Sequence, residues 1–182
     1  MKRFSIFFAF LVIIAFIGGC DNQTPTDPSL NNLQRIDSGN ETYGDPLAKS
    51  GRNFVAHLSG GQEVPPTVTG GQGQAIFKLS PDGTSLSYKL IVANIADVTQ
   101  SHIHLAPAGV NGPVVAFLFG LVPGGVTVNG ILAEGTITAA NLVGPLAGQP
   151  LSALLEEMNN GGAYVNVHTL SYPGGEIRGQ IH

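Results

Sequence analysis

Two alternating segments separated by a four-residue turn constrain this chain more than any other feature. In Gly73 to Ser80, Ala75, Phe77 and Leu79 share one face, and in Ser85 to Ala93, Leu86, Tyr88, Leu90 and Val92 do the same. Alternation of period two is the signature of a half-buried strand. Pro81-Asp82-Gly83-Thr84 between them carries turn chemistry, with a preset proline φ and a glycine free to take φ > 0. The pair is a β-hairpin, so the domain around it must supply an apolar layer for the hairpin to cover. Further strands are expected at Phe54 to Leu58, Thr99 to Leu105, Val114 to Phe119, Ile131 to Thr138, Ala163 to Thr169 and Glu176 to Ile181. One helical insertion interrupts them: Leu151, Leu154, Leu155 and Met158 recur at helical spacing, with Pro150 before them and Asn159-Asn160-Gly161-Gly162 as a stop. A shorter turn is expected at Ala139 to Leu142. Short strands between Gly/Pro turns predict an all-β fold, an antiparallel sandwich or barrel of about eight strands with one short helix capping an end.

The chain divides into three parts. Met1-Lys2-Arg3 precedes an apolar run, Phe4 to Ile17, that is short for a bilayer span of about 20 residues but right for a signal-peptide core. The run ends in Ile17-Gly18-Gly19-Cys20, which resembles the lipobox of bacterial lipoproteins. That resemblance implies cleavage after residue 19, a diacylglycerol on the Cys20 sulfur, and an extracytoplasmic protein anchored to a bacterial membrane. Cys20 is the only cysteine, so no intramolecular disulfide can form, and lipidation accounts for the odd thiol. Residues 20–52 are polar and rich in Asn, Asp, Thr, Pro and Ser, a composition that cannot offset its ordering entropy, and are expected to form a flexible tether. Residues 53–182 are the size of one domain.

Charge excludes one class of partner. The chain carries a formal charge of −4 and no Lys/Arg cluster, so it lacks the electrostatic footprint that nucleic acid requires.

The candidate chemistry lies in the histidines. His102-Ile103-His104 places two imidazoles on one strand face with Cα atoms about 6.6 Å apart, close enough to converge on one metal. In Tyr164-Val165-Asn166-Val167-His168, Val165 and Val167 point inward while Asn166 and His168 point outward. If the two strands are neighbours, His102, His104 and His168 share one external face, a donor set suited to a single copper(II) or zinc(II) ion. The competing expectation is three half-exposed imidazoles that only hydrogen-bond to nearby loops. His57 and His182 lack comparable context. Glu63 is expected to cap backbone amides or pair with Arg178, and Glu176 and Arg178 lie on one face, an arrangement for a structural ion-pair network. No catalytic nucleophile motif is present: Ser101 and His102 point to opposite faces, and there is no Gly-x-Ser-x-Gly elbow.

Several motifs in order carry a family resemblance. They are Phe54 to Pro66, Ser101-His102-Ile103-His104 through Val110-Asn111-Gly112-Pro113-Val114-Val115, Leu142-Val143-Gly144-Pro145-Leu146, and Tyr164-Val165-Asn166-Val167-His168-Thr169 through Gly174-Gly175-Glu176-Ile177-Arg178-Gly179-Gln180-Ile181. Together they resemble the CHRD domain, named from chordin and widespread in bacterial exported proteins. The export signal, the tether and the absence of catalytic motifs point to a lipid-anchored module that binds a protein, glycan or metal partner or serves a structural role. The His-x-His strand and the later Val-His are also similar to copper-zinc superoxide dismutase, a Greek-key barrel of eight strands. That likeness implies His102, His104 and His168 as copper ligands. The dismutase's bridging histidine, zinc-site cluster and disulfide have no counterpart here, so the alternative expectation is a mononuclear copper or zinc protein in redox chemistry or copper handling rather than a dismutase.

Overall fold

The structure is a computed structural model and describes residues 53–182. The expected signal segment, Cys20 and the tether lie outside the described residues.

Eight strands follow in order: β1 (Asn53–Ser59), β2 (Gln72–Leu79), β3 (Leu86–Ala93), β4 (Val98–Leu105), β5 (Val114–Phe119), β6 (Gly130–Ile137), β7 (Ala163–Thr169) and β8 (Ile177–Gln180), with one helix, α1 (Leu151–Asn159), between β6 and β7. All pair antiparallel in a single sheet of order β5-β4-β7-β8-β1-β2-β3-β6, which curls into a nearly closed barrel. The first and last strands of that order approach each other, and the Tyr88 hydroxyl of β3 donates to the Leu118 carbonyl of β5 at 2.7 Å across the gap. Strand expectations hold to within one residue at nearly every boundary, because alternation and Gly/Pro punctuation both mark them.

The anticipated hairpin is β2–β3, paired from Gln72↔Ala93 to Leu79↔Leu86. Its turn works as its residues require. Gly83 takes φ 72°, and Asp82 Oδ1 accepts from the Ser80 hydroxyl at 2.5 Å and from the Thr84 N–H at 3.1 Å.

Inward residues of successive strands meet in one core: Phe54, Ala56 and Leu58 of β1, Ala75 and Phe77 of β2, and Leu86, Leu90 and Val92 of β3 among them. Helix α1 adds Leu151, Leu154, Leu155 and Met158, all buried, and packs against β7. These are the four residues whose spacing marked the helix. Between β6 and α1, 3-10 turns form at Ala139–Asn141 and Gly144–Leu146, and the Val143 N–H donates to the Val115 carbonyl at 2.9 Å, covering part of the β5 edge. Among the described residues no helix is long and apolar enough to cross a membrane.

The arrangement that matters for function is the place of β4 between β5 and β7. Sequence order separates β4 from β7 by two strands and a helix, yet the barrel makes them neighbours in the register His102↔Asn166, His104↔Tyr164 and Gln100↔His168.

Candidate metal centre

Ile103 of β4 and Val165 and Val167 of β7 point into the core and are fully buried, which turns His102, His104, Asn166 and His168 to the other side of the barrel wall. Irregularities in the β4–β5 register fall between Ser101 and His102 and between Ile103 and His104. Such bulges re-aim side chains locally. Ser101 faces away from the histidines, as alternation requires, and its hydroxyl donates to the Asn166 carbonyl at 2.6 Å, tying the two strands together.

The face is not external, contrary to expectation. His102, His104, Asn166 and His168 are 4%, 8%, 3% and 7% exposed, so the imidazoles are buried rather than half-exposed, although two of them do hydrogen-bond to loops. The cause is the loops that fold over this side. Gly112, in the loop after β4, offers its carbonyl to His104 Nδ1 at 2.9 Å, and Pro173, in the loop before β8, offers its own to His168 Nδ1 at 2.8 Å. Phe117 of β5 sets its edge against His102 with centroids 4.9 Å apart. Tyr164 stacks on His104 at 4.8 Å with planes 8° apart, and the Arg178 guanidinium carbon lies 3.4 Å from the Tyr164 ring centroid. Gly112 has to be glycine, because a Cβ there would meet the Leu105 carbonyl oxygen at 1.8 Å.

These carbonyls decide the imidazole tautomers. A carbonyl only accepts, so Nδ1 of His104 and of His168 carries the proton, leaving a lone pair on each Nε2. His102 Nδ1 lies 3.2 Å from His168 Nε2, and Asn166 Oδ1 lies 3.1 Å from Nε2 of both His104 and His168. One ligating nitrogen from each of the three histidines falls within 4.8 Å of the others. Ligands held about 2.0–2.1 Å from one ion stand roughly 2.9–3.4 Å from each other, so the short separations match edges of a coordination shell. The backbone carbonyls behind His104 and His168 are partners of the kind that orient the imidazoles of metal sites.

Electrostatics keep the lone pairs available. Burial pushes the pKa of all three imidazoles below the ordinary 6.5, and the charges of His168 and His104 help carry His102 down to about 4. The Gly112 and Pro173 carbonyls partly oppose burial at His104 and His168. A consequence for stability follows. As pH falls below 6.5 the unfolded chain protonates these rings while the folded site resists, down to about 4 for His102, so stability is lost on acidification. Glu63 acts in the opposite sense: burial raises it from 4.5 to about 7, a contribution present below 4.5 and lost as pH rises through about 7. The His102 and Glu63 shifts are of similar size and opposite sense, and the lowered pKa values of His104 and His168 add to the histidine side. The metal-free protein is therefore expected to melt at a lower temperature at about pH 5 than at about pH 7, and Glu63→Gln to steepen that fall, as thermal unfolding followed by circular dichroism would record.

Glu176 and Arg178 take other partners than expected, whereas Glu63 keeps the Val64 amide and the Arg178 charge near it. No ion pair within 4 Å joins Glu63, Glu176 and Arg178, and the only one among the described residues links Lys89 and Glu134 at 2.7 Å. Glu176 turns its carboxylate to the Thr69 and Thr169 hydroxyls at 2.5 and 2.7 Å. Arg178 reaches into the loop after β4, donating to the Pro107 carbonyl at 3.1 Å and to Asn111 Oδ1 at 3.3 Å. Glu63 is 6% exposed, and the nearby Arg178 charge and the Val64 amide only partly offset its burial. The loop carbonyls, Tyr164 and Asn166 were not singled out as site residues. Asn166 carried a readable signal, since it shares the parity of His168, whereas the carbonyls belong to loops whose path the sequence pattern does not encode.

A family model described as CHRD domain matches residues 54–181. No curated protein matches the chain.

Proposed function

This chain belongs to the CHRD domain family, and from that premise we propose a lipid-anchored, extracytoplasmic binding module that holds one copper(II) or zinc(II) ion through His102, His104 and His168. Family membership supports a binding or structural module. The metal reading rests on one observation: two imidazoles have their Nδ1 atoms committed to backbone carbonyls, and one nitrogen from each of the three lies within 4.8 Å of the others. Neutral imidazole suits both ions. Among the described residues there is no cysteine, and Met158 is fully buried in the core, so soft sulfur ligands of the kind that select copper(I) are missing from this face.

The full chain, purified in detergent and stripped with a chelator, is the material for the test. Added copper(II) or zinc(II) is expected to bind at one equivalent and to raise the melting temperature. Absence of stoichiometric binding to the stripped protein refutes the metal reading.

The anchoring part of the proposal rests on Ile17-Gly18-Gly19-Cys20 and the apolar run before it. Expressed in a bacterium fed radiolabelled palmitate, the chain is expected to take up label and to sediment with membranes. Cys20→Ala should abolish the labelling. Equal labelling of the variant would show that Cys20 is not the acceptor.

A further inference from the structure

Resting on that reading and deepening it, we infer that Asn166 is the fourth ligand of the site, through its side-chain oxygen, so that three imidazole nitrogens and one amide oxygen hold a divalent ion. Asn166 projects from β7 at the position directly opposite His102, between His104 and His168 in the register. Its Oδ1 stands 3.1 Å from each of two Nε2 atoms, the separation of neighbouring ligands around one ion. Both nitrogens bear lone pairs, since their Nδ1 protons are committed to Gly112 and Pro173. Amide oxygen is also an acceptor, so three lone-pair atoms converge, with His102 Nδ1 standing 3.2 Å from one of them, and a cation satisfies them all when that Nδ1 is also unprotonated.

The position is built rather than incidental. Asn166 is 3% exposed, its backbone carbonyl is held by the Ser101 hydroxyl, and its side-chain nitrogen packs at Gly175, where a Cβ would stand 3.0 Å from Nδ2. An amide oxygen is a hard donor. Added to imidazoles it favours zinc(II) and copper(II) over copper(I), which is better served by thiolate or thioether.

A competing geometry has the amide turned over, with Nδ2 donating to both Nε2 atoms and locking the site shut. The two arrangements predict opposite signs. If Asn166 is a ligand, Asn166→Leu in the full chain weakens zinc(II) binding by at least about 100-fold, more than the 10–100-fold typical of a residue that only hydrogen-bonds to a ligand, and shifts the copper(II) electron paramagnetic resonance spectrum. Copper(I) affinity, measured in competition with a chromophoric chelator, then changes much less. If the amide is a lock, removing it leaves zinc(II) affinity unchanged or higher, and the inference is overturned. Asn166→Asp keeps an oxygen at the same place and guards against misfolding of the leucine variant. It is expected to bind zinc(II) at least as tightly as the unaltered chain, and weaker binding by a folded aspartate variant also overturns the inference. Failure of the unaltered chain to bind any metal removes the three-histidine reading and this one together. Binding by the unaltered chain with no loss in Asn166→Leu removes the fourth ligand alone.

Discussion

Alanine in place of His168 is expected to weaken copper(II) and zinc(II) binding by at least about 100-fold, because the loss of a ligand exceeds the 10–100-fold typical of its hydrogen-bonding partners. His168 is the informative choice. It is the candidate imidazole ligand from β7, 66 residues from His102, so its effect reports the convergence of two strands rather than the local His-x-His pattern. The loss should also appear in unfolding. An ion present at 100 times its dissociation constant stabilises the folded state by about 2.7 kcal/mol, and that increment should vanish in the variant. His57→Ala supplies the control, since His57 is exposed on β1 opposite Gln74 and away from the three rings. Competition titration with a zinc indicator decides the matter: equal affinities for His168→Ala and the unaltered chain would rule out a shared site.

Arg178→Ala is expected to cost the largest amount of stability, about 3–5 kcal/mol, equivalent to a fall in melting temperature of roughly 10 °C or more. Arg178 is 1% exposed and is the bulkiest of the fully buried side chains. Truncation empties that volume, leaves the Pro107 carbonyl and Asn111 Oδ1 without their donor, and uncovers the Tyr164 ring. It also leaves Glu63 without the positive charge that holds its pKa down to about 7. Since the ionised carboxylate then becomes more costly, the loss should be greater above about pH 7 than below it. Arg178→Lys should fall between, because an ammonium keeps the charge but not the planar fork that serves two acceptors and stacks on an aromatic face. Chemical denaturation at two pH values measures both effects, and a loss below about 1 kcal/mol would show that the guanidinium adds little net stability.

Most of the architecture is readable in the residues. Ala75, Phe77 and Leu79 against Leu86, Leu90 and Val92, with Asp82-Gly83 between, specify a hairpin because each local preference agrees with burial of one face. Leu151, Leu154, Leu155 and Met158 specify a helix for the same reason. The site is only half readable. Parity places His102 with His104 and Asn166 with His168, but parity is a property of one strand and says nothing about which strand lies beside it. Nor does it tell whether the outer face is wet. Alternation suggests exposure at these positions, and the loops bearing Gly112 and Pro173 reverse that by covering them. Glu176 and Arg178 illustrate the same limit, since like parity did not join them in an ion pair once loop carbonyls, threonines and a tyrosine were within reach.

By itself the sequence determined the strand and helix segments, the all-β class, the family, the identity of the candidate donors and, through Cys20 and the apolar run before it, the expectation of a lipid anchor. Those properties depend on short-range periodicity and on residue chemistry, which are local. Only the tertiary structure decided that β4 and β7 are neighbours, that their outer face is buried, which nitrogen of His104 and of His168 is free, and that Asn166 stands among them. Those properties come from closing the sheet into a barrel and folding two loops over its wall. Both arise from long-range packing that optimises the whole core at once, and no window of the sequence contains it.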